Sequence, residues 1–323
     1  MDEKQIRSGL RGEFSKTGWA LLIYYLVMNA AVSLVMIVDM AIAMVSTFDG
    51  EIWAADSVLD SIAENGWGYA LAIAVGAVLM LLWKKRRFCF HEIWKTGRPM
   101  TWGSFFMLLA LFISAQALFQ VLSYGLELLF NLVGMSIVDS VEAASATTDS
   151  VSMFLYLALL APVSEEILFR GLILRMLEPY GKRFAILGSA FLFGMFHGNI
   201  VQTPYAFAVG LVLGYVAAEY SVVWAMLLHL INNLILGDTL PRLTQFLPTA
   251  VSDGIFAVLI WGSALAAGII LLVRRRDISA YRRSNPIHPW CAKSFFGSAG
   301  VVTLTVVMGV NILITILAQI FVA

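Results

Sequence analysis

Seven consecutive residues, Ser164-Glu165-Glu166-Ile167-Leu168-Phe169-Arg170, put two adjacent carboxylates and a guanidinium inside an apolar run covering residues 151–174. An ionised side chain at the centre of a membrane helix costs about 2.5–3.5 kcal/mol even on lenient insertion scales, and spanning a bilayer does not require one. Glu166 and Arg170 stand at i,i+4, so they share a helix face and can neutralise each other. Glu165 points roughly 100° away and has no partner in its own segment. Its partner has to come from another part of the chain.

Histidine is scarce enough to be informative. Of the four, His91 and His288 fall in polar connections, whereas Phe193-Gly194-Met195-Phe196-His197 and His229-Leu230-Ile231-Asn232-Asn233 put the other two inside apolar runs. Asn233 lies one turn beyond His229 on the same face. At a rise of 1.5 Å per residue, Glu165 is about 13 Å from the Leu174 end of its run, His229 about 12 Å beyond Ser221 and His197 about 20 Å beyond Phe184. All three belong near the middle of a hydrocarbon core about 30 Å thick. Groups at equal depth on different helices can converge.

Such a cluster has a definite chemistry. A carboxylate and an imidazole meeting on one water make a general base and its proton-sharing partner. A second imidazole and a carboxamide on one helix face can donate to a developing oxyanion. Those parts suit acyl transfer to water, that is, hydrolysis of a peptide bond. Interhelical glue or an ion pathway is the plainer use of intramembrane polar groups, but three motifs on three runs favour a site. Asp39 and Glu127 also lie within apolar runs, without such company, and are expected to be paired or near a wet helix end.

Composition dictates the elements that must position these groups. With 60% hydrophobic and 13% charged residues and a mean hydropathy of +0.85, the chain is a polytopic membrane protein. Apolar runs predict nine helical spans, at 19–46, 67–83, 102–133, 151–174, 184–198, 203–218, 221–236, 254–273 and 295–322, in one membrane domain over 1–323. The first is too long for a removable signal peptide and reads as an anchor. Lys and Arg collect in the N-terminal segment, in 84–98, in 170–183 and in 274–293, which together hold every basic residue except Arg242. The alternate connections are acidic, with Asp49, Glu51, Asp56, Asp60 and Glu64 in one and Asp139, Glu142 and Asp149 in another. The N-terminus is therefore expected in the cytoplasm and the C-terminus outside. Cys89 and Cys291 then both lie on the reducing side, so no structural disulfide is expected. No motif suggests a nucleic-acid partner.

The three motifs, in this order, resemble the CPBP family of CAAX-prenyl proteases and bacteriocin-processing enzymes, also labelled abortive-infection proteins. The resemblance covers residues 150–240, flanked by helices in 1–149 and 241–323, and includes Gly210, Gly214 and Ser221-Val222-Val223-Trp224 ahead of the last motif. It implies an all-α intramembrane glutamic endopeptidase of about eight helices. Glu165 with His197 would activate water, His229 and Asn233 would form the oxyanion hole, and Glu166 with Arg170 would brace the site. It further implies a peptide or membrane-protein substrate, such as a leader peptide or a prenylated tail, and, most simply, a prokaryotic plasma membrane. Glu219-Tyr220 departs from the family, whose members often carry a small turn residue there.

Rival readings differ in their signatures. One Glu and two His could ligate zinc, but no His-Glu-x-x-His occurs, so no cofactor is expected and a zinc protease is disfavoured. No Gly-x-Ser-x-Gly marks a serine protease, Gly188-Ser189-Ala190 reads as a helix contact, and Asp39 alone cannot make an aspartyl pair. A non-enzymatic scaffold, an immunity protein or a transporter could use the same polar cluster, although no internal repeat accompanies it. The charge asymmetry is open to direct measurement: reporter fusions at Ser61, Lys95, Ser145 and Arg282 should alternate out, in, out, in. An external report at Arg282 would overturn the orientation.

Overall fold

A computed structural model describes residues 3–47, 65–145 and 150–322. The acidic residues Asp49, Glu51, Asp56, Asp60, Glu64 and Asp149 lie outside the described residues. Those described form a helical bundle without strands. In a bilayer each backbone polar group must be satisfied within its own segment, so apolar runs of this length become helices. In chain order these are α1 (Glu3–Thr47), α2 (Trp67–Glu92), α3 (Trp102–Asn131, bent at Ser114), α4 (Val138–Ser145), α5 (Val151–Tyr180) and α6 (Lys182–Phe196). They continue with α7 (Gln202–Glu219), α8 (Val222–Thr244), α9 (Thr249–Val273), α10 (Arg275–Ser284), α11 (Pro289–Phe296) and α12 (Ala299–Val322). Side-chain caps start four of them: Thr101, Ser150, Ser221 and His288 accept from the backbone N–H groups of Ser104, Met153, Trp224 and Trp290.

Seven helices, rather than the nine read from the sequence, are long and apolar enough to cross a membrane: α1, α2, α3, α5, α8, α9 and α12. Of the two that fall short, α6 is too short, with 15 residues, whereas α7, with 18, is long enough but less apolar. Fifteen residues rise only about 22 Å. These two pack on each other as a hairpin at the centre, covered by neighbouring helices, so their length need not match the lipid. Small residues let their backbones approach: a Cβ on Gly210 would lie 3.1 Å from Ala190 Cα, and one on Gly214 would lie 3.2 Å from Ile186. A hairpin returns the chain to the side it left, so the alternation of the other connections is unaffected. Around it, α1 packs on α2, α11 and α12, and α3 packs on α9. Gly18 of α1 and Gly300 of α12 cross so closely that a Cβ on either would overlap the other helix's backbone.

Most of the basic clusters gather at one end of the bundle. Arg175 donates to the carbonyls of Lys95 and Ala217, Arg183 donates to the Arg282 carbonyl, and Lys182 pairs with Glu219 at 2.9 Å. Glu219-Tyr220, the departure from the family pattern, anchors this end. Its carbonyls accept from Arg98 and Gly97, and the Glu219 carboxylate also accepts from the Tyr281 hydroxyl at 3.0 Å. Burial, together with that carboxylate, pushes the Tyr281 phenol above its usual range. Asp39 and Glu127 are indeed paired, Asp39 with Asn65 and Glu127 with Ser136 and the Ile137 N–H.

Candidate active site

The winding of α5 begins with Pro162. A proline inside a helix removes one N–H and presses its ring on the carbonyl four residues back, here Ala158. The chain relieves this by widening into a π-wound turn over Tyr156–Leu160. A short α-helical stretch, Ala161–Glu166, carries both glutamates before a second π-wound stretch, Ile167–Ile173. Within that second stretch the Phe169 carbonyl accepts a hydrogen bond from Ser189 of α6 at 2.8 Å, so Gly188-Ser189-Ala190 serves packing, as the sequence suggested. A third π-wound stretch, Ile231–Thr239, follows His229 in α8 and carries Asn233.

Glu166 and Arg170 are fully buried, and Arg170 Nη1 donates to Glu166 Oε1 at 2.9 Å. The same oxygen accepts from His229 Nδ1 at 2.9 Å. A carboxylate oxygen only accepts, so Nδ1 carries the proton and Nε2 is left to face the site. Arg170 Nε and Nη2 and Glu166 Oε2 have no hydrogen-bond partner among the described residues. The guanidinium instead lies over the Phe193 ring, 4.1 Å from its centre. A desolvated contact of this kind is worth about 2 kcal/mol. Phe193 also meets the rings of His197 and His229 edge-on, with centroids at 4.7 and 6.0 Å. One aromatic ring thus touches the guanidinium and both imidazoles.

Glu165 is the freer neighbour. Its side chain is 28% exposed, against 0% for Glu166, and Oε2 lies 3.9 Å from His229 Nε2. That separation is too long for a direct hydrogen bond and is the span of a water-bridged one. His197 ends α6, where Gly198 takes the left-handed conformation (φ +58°) that stops the helix. Its Nδ1 donates to the Phe193 carbonyl at 2.8 Å, which leaves Nε2 of the neutral ring as an acceptor. No direct hydrogen bond joins this ring to Glu165. Asn233 Nδ2 donates to the Leu157 carbonyl at 3.0 Å. The structure therefore brings Glu165, Glu166, Arg170, His197 and His229 together around Phe193, with Asn233 bound to the first π-wound turn of the glutamate helix. Among the described residues, no three His, Cys, Asp or Glu side chains are grouped to hold a metal ion.

Several residues near the site were not singled out from the sequence. Tyr24 of α1 and Tyr156 of α5 lie near Glu165, and Tyr156 stacks on Tyr69 with ring centroids 4.4 Å apart. Gln116, Tyr205 and Asn232 form a polar group behind Asn233. An amide in the middle of an apolar run was the only signal available for Gln116. Phe193 had none, because nothing distinguishes it from other core aromatics in the sequence.

Fold and site together define a multi-pass integral membrane protein with a buried carboxylate–imidazole cluster. Residues 147–235, which include all six residues of the three motifs, match the family model described as type II CAAX prenyl endopeptidase, Rce1-like. This agrees with the CPBP resemblance carried by those motifs, and the matched family is one of proteases. Searches of curated proteins and of solved structures found no match.

The dry ion cluster has a measurable consequence. Glu166→Gln leaves Arg170 without its counter-charge and weakens the anchor of His229, so it should destabilise the fold by about 3–5 kcal/mol and reduce any turnover as well. Thermal unfolding beside an activity assay checks this, and a Glu166→Gln chain as stable as the wild type would contradict it.

Proposed function

We propose that the chain is a glutamate-dependent intramembrane endopeptidase acting on membrane-associated peptides, prenylated tails or leader peptides among them. The observation that carries this reading is the asymmetry of two adjacent glutamates. Glu166 is dry and shared between Arg170 and His229, while Glu165 is accessible and faces two imidazoles whose outer nitrogens are unoccupied. A purely structural ion pair would not need the second carboxylate.

In the mechanism, Glu165 takes a proton from water while His197 Nε2 helps to hold that water. The hydroxide attacks the scissile carbonyl carbon, and the carbonyl electron pair moves onto oxygen. The Asn233 amide donates to that oxyanion. His229 can also donate if its ring carries both protons, one on Glu166 and one on Nε2 toward the site. Collapse of the intermediate expels the amine, which recovers the proton from Glu165. Glu166 and Arg170 touch no reacting atom and hold His229 in place. On this reading the reaction needs no metal, and the bilayer supplies both the solvent barrier and the tethered substrate.

The test uses the full-length chain in lipid nanodiscs with a fluorogenic farnesylated peptide and a fluorogenic leader-type peptide. Glu165→Gln should lower turnover by about 10²–10⁴-fold and Asn233→Ala by about 10²–10³-fold, both with near-normal stability. Strong chelation should leave the rate nearly unchanged, whereas loss restored by zinc would favour a metalloprotease. An active Glu165→Gln chain beside a well-folded, inactive Glu166→Gln chain would reverse the two glutamates. Full activity in both variants, or none from the wild type, would leave the scaffold and transporter readings.

A further inference from the structure

Behind Asn233, three side chains from three helices form a hydrogen-bonded line that the mechanism above does not use. Gln116 of α3, just past the bend at Ser114, donates from Nε2 to Asn232 Oδ1 at 2.9 Å and to the Tyr205 hydroxyl of α7 at 2.8 Å. The Tyr205 hydroxyl donates to the same Asn232 oxygen at 3.4 Å. Asn232 Nδ2 then donates to Asn233 Oδ1 at 3.0 Å, and Asn233 Nδ2 donates to the Leu157 carbonyl at 3.0 Å. Every bond runs in the same sense, from Gln116 through Asn232 and Asn233 to a backbone carbonyl of the glutamate helix.

From this line we propose that Gln116, Tyr205 and Asn232 are positioning residues that fix which end of the Asn233 amide faces the reaction. The inference rests on the endopeptidase reading of Asn233. An asparagine amide is nearly symmetric in shape, and only its hydrogen-bond partners distinguish oxygen from nitrogen. Reversing Asn233 would point its oxygen at the Leu157 carbonyl and its NH2 at the NH2 of Asn232, two repulsive contacts at once. Reversing Asn232 would meet the Gln116 and Tyr205 donors with a third donor. Gln116 spends both amide protons in the relay, and Asn232 Oδ1 spends both lone pairs.

The consequence at the site is specific. Asn233 Nδ2 has two protons, one committed to Leu157, and the other remains for an oxyanion. Preorganised donors contribute most when they need not reorient as charge develops. In lipid the relay has no bulk water to replace it, and aligned hydrogen bonds polarise one another in the donating direction. The doubled asparagine therefore has two jobs, Asn233 at the reacting oxygen and Asn232 as its orientation lock. Phe119 packs edge-on against the Tyr205 ring at 5.4 Å and keeps the hydroxyl at the junction.

The experiment is Asn232→Asp in the full-length chain, assayed on the fluorogenic farnesylated peptide with Glu165→Gln as the control. The substitution keeps shape and still accepts from Gln116 and Tyr205. When ionised it cannot donate to Asn233 Oδ1. At a pH high enough to ionise it, kcat should fall about 10–100-fold, the scale of a small misplacement at a catalytic group, with KM within about twofold. As pH falls and the introduced carboxyl gains a proton, it regains a donor, so its kcat relative to wild type should rise. Tyr205→Phe, which removes only a hydroxyl, is the milder companion and should lower kcat by a smaller factor at unchanged KM.

Glu165-dependent cleavage by Asn232→Asp that stays undiminished up to the highest pH at which the wild type is active would overturn the relay alone. A loss of kcat with the same ratio to wild type at every pH would also overturn it, since a packing defect has no reason to be rescued by acid. Absence of any Glu165-dependent cleavage by the wild-type chain would sink the endopeptidase reading, and the relay's catalytic role with it.

Discussion

A carboxylate with no exposed surface, shared between a guanidinium and an imidazole, is the constraint on which the rest of this structure depends. Removing Glu166 or Arg170 from water costs several kcal/mol per ion, and mutual attraction returns that only when geometry is close and further hydrogen bonds are made. Both conditions bind distant parts of the chain together. The 2.9 Å contact to His229 ties α5 to α8, and the Phe193 ring beneath Arg170 ties both to α6. A slip of α8 by one turn would cost Glu166 its His229 donor, and a slip of α6 would take the Phe193 ring from beneath Arg170. The ion cluster thus acts as a register pin for the helices that carry the proposed chemistry.

Irregular winding is how the helices deliver their side chains. A regular α-helix across residues 151–180 would have to carry Pro162 in its interior and leave the Ala158 carbonyl in collision. The π-wound turn before the Glu165-Glu166 pair accommodates the proline, and adjacent positions on the helix then leave Glu166 fully buried and Glu165 partly exposed. In α8 the same device follows His229, so that Asn233 reaches back to the Leu157 carbonyl of α5. The short central hairpin of α6 and α7 completes the arrangement. Its glycines allow the backbones to approach closely, and its first helix ends at His197.

The chain also separates two kinds of polar work along the bundle. At one end, Lys182, Glu219, Tyr281, Arg98 and Arg175 bond the connections to each other and hold the helix ends. In the interior, Gln116, Tyr205 and Asn232 form a line of neutral amides and a hydroxyl with no net charge. Neutral groups can be satisfied in a low-dielectric interior at far lower desolvation cost than ions. The fully buried charges, Glu166 and Arg170, form the register pin beside the proposed chemistry.

Much was legible in the sequence, and its limits have physical causes. Membrane class, the i,i+4 pairing of Glu166 with Arg170, the common depth of Glu165, His197 and His229, and the pairing of Asp39 and Glu127 all follow from hydropathy, helical rise and the cost of unpaired charge. These are local or one-dimensional properties. Hydropathy located the runs that become α6 and α7 but could not show that these two would pack on each other at the centre of the bundle. Spacing along one helix could not show that His229 would bond Glu166 through Nδ1 and turn Nε2 toward Glu165. Phe193 looked like any core aromatic, and the donor line behind Asn233 joins residues from positions 116, 205 and 232. Which polar groups meet is decided by how helices rotate and tilt against one another, and that is set by side-chain packing across the bundle, which only the tertiary structure contains.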